Sequence, residues 1–306
     1  MMLKYKLNFQ LGDKILFRKE IDLKQRHTMM SLLDYPIKDL TKLPVENKFN
    51  YQYFPRLIID DKAIQQKLRS TSNKIFYIRY KYPNYAIKLY QYHSFDDYLT
   101  KFSAKTRGTL KRKMNKASKS GFIEKLYFEE KDIDEFHKHA CFVGEQTYQN
   151  KLFNSAIPKT EEFKSILKTQ ANNNDFLGII LFIKGTPCAY IYCPIINNVY
   201  QYSYLGHLPQ YSKFSPGTVL QLKLLSHIYA QKLKAPYFDF TEGDGAHKKL
   251  FSTNLYTCCN CLVADNNLAN QFWFRAQIFL DTLSNSLGQL LTKLRIKQLI
   301  KKLIRL

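Results

Sequence analysis

The sequence lacks the long apolar runs of a membrane-spanning protein. No stretch of its 306 residues reaches the roughly 18 uninterrupted apolar positions that a transmembrane helix needs. Met1 to Phe9 alternate lysine with apolar residues and lack the apolar block of a signal peptide. A cytoplasmic location is therefore the expectation. Hydrophobic residues, at 45%, predict a packed core rather than disorder.

Cysteine is scarce, at six residues, and its pattern does not suit a zinc site. Cys258, Cys259 and Cys261 lie close together in the chain. No second Cys or His pair at zinc-finger spacing accompanies them, and neighbours on a strand point to opposite faces. A disulfide framework does not suit a cytosolic chain of this length. The sequence therefore predicts buried, reduced thiols and no metal.

Acidic residues are also few, at 25 against 47 Lys and Arg, which leaves a net charge of +22. This charge favours polyanions: nucleic acid, anionic lipid or a phosphate-bearing cofactor or substrate. It does not choose among them, and a lysine-rich composition without function is the alternative.

Two segments concentrate the basic residues. A helix predicted from Ser94 to Gly121 carries a charge run from Lys101 onward, which is either a solvated face or an anion-docking surface between two lobes. The last 16 residues, Leu291–Leu306, are amphipathic and contain no acid. They either pack on the protein or lie peripherally on an anionic membrane.

The order of predicted elements is most specific after Gly121. Strands are predicted at Phe122–Phe128, Phe176–Ile183, Ala189–Ile195, Val199–Leu205, Pro236–Phe240 and Asn254–Val263, with helices from Asp132, over Thr160–Thr169, from Ser215 to Leu233 and over Gly245–Phe251. The order is β-α-α-β-β-β-α-β-α-β, and the tight connections make the middle strands an antiparallel meander.

The residues before and after this predicted core form separate segments. Residues 1–93 form a smaller α/β lobe, with strands at Lys4–Phe9, Lys14–Phe17, Gln52–Ile59, Lys74–Tyr80 and Tyr85–Tyr92, the last two joined by a turn at Pro83-Asn84, and a helix at Ile64–Ser70. A basic linking helix at 94–121 leads to the core at 122–265. Residues 266–306 form a C-terminal amphipathic helix, with a break near Gly288.

The strongest local motif is the start of the helix at Ser215. The segment Phe214, Ser215, Pro216, Gly217 and Thr218 follows a strand, and proline is tolerated in a first helical turn. Gly217 lets the backbone approach a ligand closely. Free first-turn amides and the positive end of the helix dipole make an anion site into which a pyrophosphate fits. A purely structural helix start is the alternative.

A second motif follows the predicted strand at Pro236–Phe240. It brings together Asp239, Glu242, Asp244, His247 and Lys248. Acyl transfer to an amine needs a neutral nucleophile, so a carboxylate or imidazole can take its proton, and a Lys, a Tyr or water can protonate the leaving thiolate. The structural alternative is that Asp239 caps the next turn and pairs with Lys248.

The third set of candidates offers hydrogen-bonding groups for an acceptor. Gln146, Tyr148 and Gln149 follow the first helix of the core, and Tyr202 and Tyr204 lie on the third strand of the meander. The first three residues are equally compatible with an ordinary loop between helices.

From Ser94 to Val263 the chain resembles the GNAT-like acyltransferase family that includes the cellulose-biosynthesis acetyltransferases and is related to the FemAB peptidoglycan ligases. Four segments carry the resemblance: Lys105-Thr106-Arg107 with Leu110-Lys111-Arg112, Gln146-Thr147-Tyr148-Gln149, Ser215-Pro216-Gly217, and Asp239-Phe240 leading to Gly243 and Lys248. It implies a GNAT acyl-CoA N-acyltransferase fold, an α/β (α+β) arrangement with a mixed central sheet and flanking helices, preceded by a smaller degenerate GNAT-like lobe.

The resemblance also implies where the cofactor binds. The sheet would splay between Val199–Leu205 and Pro236–Phe240 to admit the pantetheine, and the segment at Ser215-Pro216-Gly217 would bind the acyl-CoA pyrophosphate. The chain departs from the family at two places. Members commonly place Tyr where His247 stands, and a basic residue is common near Glu242, so the catalytic roles and the acceptor stay open.

The leading hypothesis is therefore transfer of an acyl group from acetyl-CoA or another acyl-CoA to an amine or hydroxyl of a sugar, amino acid or envelope precursor. The first alternative is a FemAB-like aminoacyl transferase that uses charged tRNA, which the basic helix favours. The absence of two long arm-forming helices between Phe122 and Val263 weighs against it. The second alternative is an inactive GNAT-like module that binds anionic membrane or nucleic acid.

Overall fold

The computed structural model describes residues 2–11, 14–26, 35–147, 156–231 and 233–293. The chain divides into two compact units. The first comprises residues 1–82 and 257–306, and the second comprises residues 83–256. Two strands, β5 (Lys74–Lys88) and β13 (Asn254–Asp265), have residues in both units.

The first unit packs a mixed sheet against a long helix. Its elements are β1 (Met2–Leu11), β2 (Lys14–Gln25), β3 (Tyr51–Ile59), β4 (Leu68–Ser70), the first part of β5, the last part of β13 and α7 (Leu268–Lys293). Strand β1 pairs antiparallel with β2, β2 parallel with β3, and β3 antiparallel with β13. The helix packs its Phe274 ring on Tyr77, with ring centroids 4.8 Å apart.

Three sequence predictions for this region are wrong. Residues 64–70 are not a helix, because Leu68–Ser70 pairs with β5 as a short edge strand. The turn at Pro83-Asn84 is absent, because β5 continues through it as a single strand of 15 residues. The predicted break at Gly288 is also absent, since α7 runs through that position to Lys293.

The second unit follows the predicted order of helices and strands, except that five short strands stand where three were predicted between the second and third helices of the core. Its elements are the last part of β5, α1 (Phe95–Leu99), α2 (Ala104–Lys119), β6 (Phe122–Tyr127), α3 (Ile133–Glu145), α4 (Glu161–Asn172), β7 (Gly178–Ile183), β8 (Thr186–Tyr192), β9 (Ile195–Ile196), β10 (Val199–Gln201), β11 (Tyr204–His207), α5 (Pro216–Ala230), β12 (Tyr237–Glu242), α6 (Ala246–Phe251) and the start of β13.

Strands of the second unit form two groups, and the chain passes from one to the other at Ser203. Strand β10 pairs parallel with β12, which pairs antiparallel with β5. Strand β11 instead joins β8, β7 and β6 in an antiparallel sheet. The Tyr202 N–H donates to the Asp239 carbonyl (2.9 Å), whereas the next N–H, of Ser203, donates to the Tyr192 carbonyl (3.2 Å).

This change of partner corrects the prediction of one strand at Val199–Leu205. This segment forms two strands, β10 and β11, instead of one. The predicted separation from the Pro236–Phe240 strand therefore affects only part of the segment. Val199 to Gln201 pair with Tyr237 to Asp239. The strands separate only beyond this point, where β11 pairs with another sheet.

The single helix predicted from Ser94 to Gly121 is also two helices. Ser103 adopts an extended conformation and caps α2, its Oγ accepting from the Thr106 N–H (3.3 Å). The helix starts predicted at Ser94 and Thr160 are confirmed, because the hydroxyls of these two residues cap the helices by accepting from the amides of Asp97 and Phe163. Short polar side chains at these positions satisfy amides that have no partner within the helix.

The core of the second unit confirms the predicted α/β class. Helices α3 and α5 pack their apolar residues on the antiparallel sheet, and Phe136, Leu220 and Ile191 are fully buried. All six cysteines are buried free thiols, as predicted. In the part of the chain that the structure describes, every helix is too short or too polar to cross a membrane.

Candidate functional site

The candidate residues of the second unit gather beyond the carboxyl ends of two parallel strands. Strands β10 and β12 run in the same direction, β11 and the start of α5 follow the first, and α6 follows the second. In open α/β sheets, ligands bind outside the carboxyl ends of strands, where neighbouring connections diverge. The split between β11 and β12 is such a place.

The start of α5 has the backbone geometry predicted for an anion site. Ser215 lies in the left-handed region (φ 55°, ψ 50°), and Pro216 is the first helical residue. A Cβ on Gly217 would meet only Leu205 Cδ2, at 3.6 Å, which is an ordinary contact. Packing within the chain therefore does not require glycine here, although close approach of a ligand would. The first-turn N–H groups have no acceptor inside the helix.

Two lysines lie beside this helix start. Lys116 on α2 donates from Nζ to the Lys213 carbonyl (3.2 Å). The ammonium groups of Lys116 and Lys213 both lie over the Phe214 ring, 5.4 and 5.2 Å from its centroid. With the helix dipole, they make the region before Pro216 positive.

The same face of α2 forms a shallow concavity lined by basic residues. Lys111, Arg112 and Lys119 line it together with Lys116. This part of the predicted charge run is therefore a clustered basic surface rather than an even scatter of charges.

At the end of β12, Asp239 shapes the backbone. Its carboxylate is fully buried, and its Oδ1 accepts from Asn84 Nδ2 (2.7 Å) and from the Thr241 N–H (2.8 Å). The strand bulges between Asp239 and Glu242, and Thr241 takes a left-handed conformation (φ 62°). A β-branched residue is strained there by about 1–3 kcal/mol, and such bulges re-aim side chains near functional sites.

The carboxylate of Asp244 is held by two partners. Tyr85 donates its hydroxyl to Oδ1 (2.9 Å), and Lys249 Nζ lies 2.9 Å from Oδ2. The hydrogen bonds from Lys249 and Tyr85 lower the pKa of Asp244. A carboxylate stabilised in its charged form is a weaker proton acceptor.

His247 and Lys248 open helix α6. Burial, followed by the charge of Lys248, lowers the pKa of His247 below its usual value of 6.5. Its ring lies 5.8 Å from that of Tyr202, at an angle of 37°. Lys248 Nζ donates to the carbonyls of Thr241 (3.2 Å) and Glu242 (2.7 Å), which ties the helix to the bulge.

Two residues that sequence reasoning did not single out hold the other end of α6. Tyr98 is fully buried and donates its hydroxyl to the Phe251 carbonyl (2.5 Å). Lys101 Nζ donates to the three carbonyls of residues 250–252, and burial lowers its pKa to about 8. Lys101 therefore departs from the predicted solvated run.

The structure describes only part of the predicted acceptor segment. Gln146 is exposed, and its Nε2 donates to the Phe142 carbonyl (3.2 Å) at the end of α3. Thr147 is buried against β11, since a Cβ on Gly206 would come within 2.9 Å of its Cγ2. The end of α3 therefore lies over β11. Tyr148 and Gln149 fall outside the described residues.

The two tyrosines of the meander occupy different surroundings. Tyr204 stacks on Tyr192, with ring centroids 6.2 Å apart, and meets the edge of the Phe163 ring. Tyr202 lies between Phe240 and His247, beside the bulge. Burial raises the pKa of the Tyr202 hydroxyl above 10, so that it keeps its proton at neutral pH.

The arrangement combines a neutral imidazole, a protonated phenol and a helix start suited to phosphate. These groups suit proton transfer during attack on an activated carbonyl. Within the described ranges, no cluster of three or more His, Cys, Asp or Glu side chains is arranged to hold a metal ion.

Residues 104–249 match the family model described as "Acetyltransferase (GNAT) domain". The match supports a GNAT-like family for this segment and agrees with the mixed α/β fold. The match does not distinguish subfamilies, so the predicted relationship to the cellulose-biosynthesis acetyltransferases stays a prediction. A search of curated proteins finds no match.

Several solved structures resemble the chain distantly. L-PGS from Bacillus licheniformis is 11% identical with a TM-score of 0.47, over 74% of this chain and 72% of that one. FemX is 11% identical with a TM-score of 0.46, over 60% and 62%. A GCN5-related N-acetyltransferase from Kribbella flavida is 13% identical with a TM-score of 0.34, over 64% and 62%. Sequence identities and TM-scores this low do not identify the acyl donor or the acceptor.

Proposed function

We propose, from the GNAT acyltransferase-like domain at residues 104–249, that this chain moves an acyl group from a coenzyme A thioester to an amine or hydroxyl. Acetyl is the simplest group, and a sugar, an amino acid or an envelope precursor is the acceptor class. The observation that carries the proposal is the separation of β11 from β12 next to a helix that starts with Ser215-Pro216-Gly217.

The proposed binding mode uses each side of this split. The pantetheine lies between β11 and the end of β12, and the pyrophosphate receives the first-turn amides of α5. Lys116 and Lys213 add positive charge beside that turn. The exposed Gln146 and the side chain of Tyr202 contribute to the acceptor site, with Tyr148 and Gln149 as further candidates from the sequence.

In the proposed reaction, His247 is the general base. Its lowered pKa leaves the imidazole neutral at neutral pH, so it can take the proton of the attacking amine or hydroxyl. The nucleophile bonds to the carbonyl carbon, the carbon–sulfur bond breaks, and the thiolate takes a proton from Tyr202 or from water. Asp239 and Asp244 are assigned to positioning because their carboxylates hold the bulge and the loop. Glu242 is exposed and remains the second candidate base.

The first experiment measures donor binding and turnover separately. Calorimetry with acetyl-CoA and longer acyl-CoAs should show binding. Thiol release in the presence of a panel of amines and sugars should reveal the acceptor, and His247→Gln should lose turnover while keeping donor binding. Failure of every acyl-CoA to bind would refute the proposal.

The basic concavity on α2 favours one alternative. Four cationic side chains on one helix face suit a longer polyanion, such as the tRNA of an aminoacyl transferase. Salt-dependent binding of charged tRNA, without binding of acyl-CoA, would replace the coenzyme donor with tRNA.

A further inference from the structure

Helix α7 turns a face of mixed polar and apolar side chains inward. Asn270, Phe274 and Gln277 are buried and follow one another at helical spacing, with Asp281 continuing the row. Asn270 Oδ1 accepts from the Tyr51 hydroxyl (2.7 Å). Asp281 accepts two hydrogen bonds from the Arg79 guanidinium, both at 3.0 Å. This face is therefore fixed to the sheet of its own unit by specific polar contacts.

The opposite face of the same helix is apolar and exposed. Leu268, Phe272, Phe279, Leu283 and Leu290 are 85%, 63%, 66%, 37% and 52% exposed. They recur at intervals of four and seven residues, which places them in one stripe along about 33 Å of helix. The stripe is therefore a surface that suits a partner.

The β1–β2 region widens this stripe with aromatic rings. Phe17 on β2 is half exposed and stacks on Trp273, with ring centroids 5.5 Å apart. Phe272 meets the edge of the same indole at 5.3 Å, and Lys19 Nζ lies 4.8 Å above it. Aromatic rings flanked by lysine are enriched where protein meets the lipid headgroup region.

The charges around the stripe identify the partner. On α7, Arg275 is exposed, and the acid Asp281 is already held by Arg79. The whole chain has 47 Lys and Arg against 25 Asp and Glu. A second copy of this chain would bring the same positive charge, and a nucleic acid would not bury a row of Leu and Phe. Anionic lipid offers both an apolar boundary and negative phosphates.

We propose that the exposed face of α7, together with Phe17, docks on an anionic membrane surface. The apolar side chains enter the boundary between headgroups and acyl chains, and Lys19 and the exposed Arg275 contact lipid phosphates. The proposal does not depend on the acyl donor, because it concerns the first unit alone.

Trp273 supplies the assay, because it is the only tryptophan in the chain and lies beside the stripe. We expect vesicles of phosphatidylglycerol and phosphatidylcholine to shift its emission to the blue and to sediment the protein. Vesicles of phosphatidylcholine alone should bind far more weakly. The double variant Phe272→Ser/Phe279→Ser should bind about 100-fold more weakly, since each exposed phenyl group that is removed costs about tenfold.

Ile123→Ser is the matched control, because Ile123 is 68% exposed on β6 in the other unit. It should bind vesicles like the wild type, and circular dichroism should show both variants folded. Equal binding of the double variant and the wild type would overturn the proposal, as would equal binding to neutral and anionic vesicles. Self-association that the double variant abolishes, without vesicle binding, would assign the stripe to a dimer instead.

Discussion

Gly217→Ala separates the needs of the fold from those of a ligand. A Cβ at this position would lie 3.6 Å from Leu205 Cδ2 and meet no other atom within 4 Å, so the folded chain has room for it. Alanine also loses less backbone entropy on folding than glycine, which predicts a gain in unfolding free energy of up to about 1 kcal/mol. If a pyrophosphate lies against this turn, the added methyl group displaces it.

The expected loss of affinity follows from the hydrogen bonds at the turn. A hydrogen bond to a charged group is worth about 1.5–3 kcal/mol, so loss of one raises the Kd for acetyl-CoA by about 10- to 150-fold. Calorimetry measures the Kd, and urea unfolding measures stability. Gly288→Ala is the matched control, since a Cβ there also finds open space within a helix. An unchanged Kd in the stable Gly217→Ala variant would refute the anion site at α5.

Three further changes test the surroundings of the site. The kcat/KM of the wild type should fall as pH drops through an apparent pKa below 6.5 and stay level above it, because His247 acts in its neutral form. His247→Gln should lower kcat by about 10²- to 10⁴-fold and abolish this fall in kcat/KM at low pH, the acid limb of the profile. Gly206→Ala should lower unfolding free energy by about 1–3 kcal/mol in urea, because its Cβ would lie 2.5 Å from Tyr190 Cε1. Tyr98→Phe should lower it by about 0.5–1.5 kcal/mol and lower kcat without moving the acid limb, because it frees one end of α6 from a hydrogen bond.

Local chemistry made part of this fold predictable. The caps at Ser94 and Thr160 depend on side chains three residues away from the amides that they accept. Tight turns between β7 and β8 and the proline at the start of α5 act over similarly short distances. Element type and order follow from such signals, and the second unit agrees with them except where predicted strands after Thr186 are divided.

The errors arose where a distant partner decides the structure. Nothing between Val199 and Leu205 shows that the amide of Tyr202 bonds to Asp239 while that of Ser203 bonds to Tyr192. The long course of β5 through Pro83-Asn84 similarly depends on its pairing with β12. In both cases, hydrogen bonds to strands far along the chain override local preference.

The candidate site shows the same division between residue type and residue role. Three acids, one histidine and one lysine can be listed from the sequence as candidates, but their partners cannot. Tyr85 approaches Asp244 across 159 residues of chain, and Asn84 approaches Asp239 across 155. Only these contacts distinguish a carboxylate that holds a loop from one that is available to a substrate.

The contacts at Asp239 also explain how the proposed base is presented. By accepting from the Thr241 amide, this buried carboxylate stabilises a left-handed residue that would otherwise be strained. The resulting bulge directs two carbonyls to Lys248 Nζ, which anchors the first turn of α6 and leaves His247 beside Tyr202. The ammonium of Lys248 in turn helps to keep the imidazole neutral. In the proposed mechanism, the acids therefore build the frame, and the residue that departs from the family pattern, His247, accepts the proton.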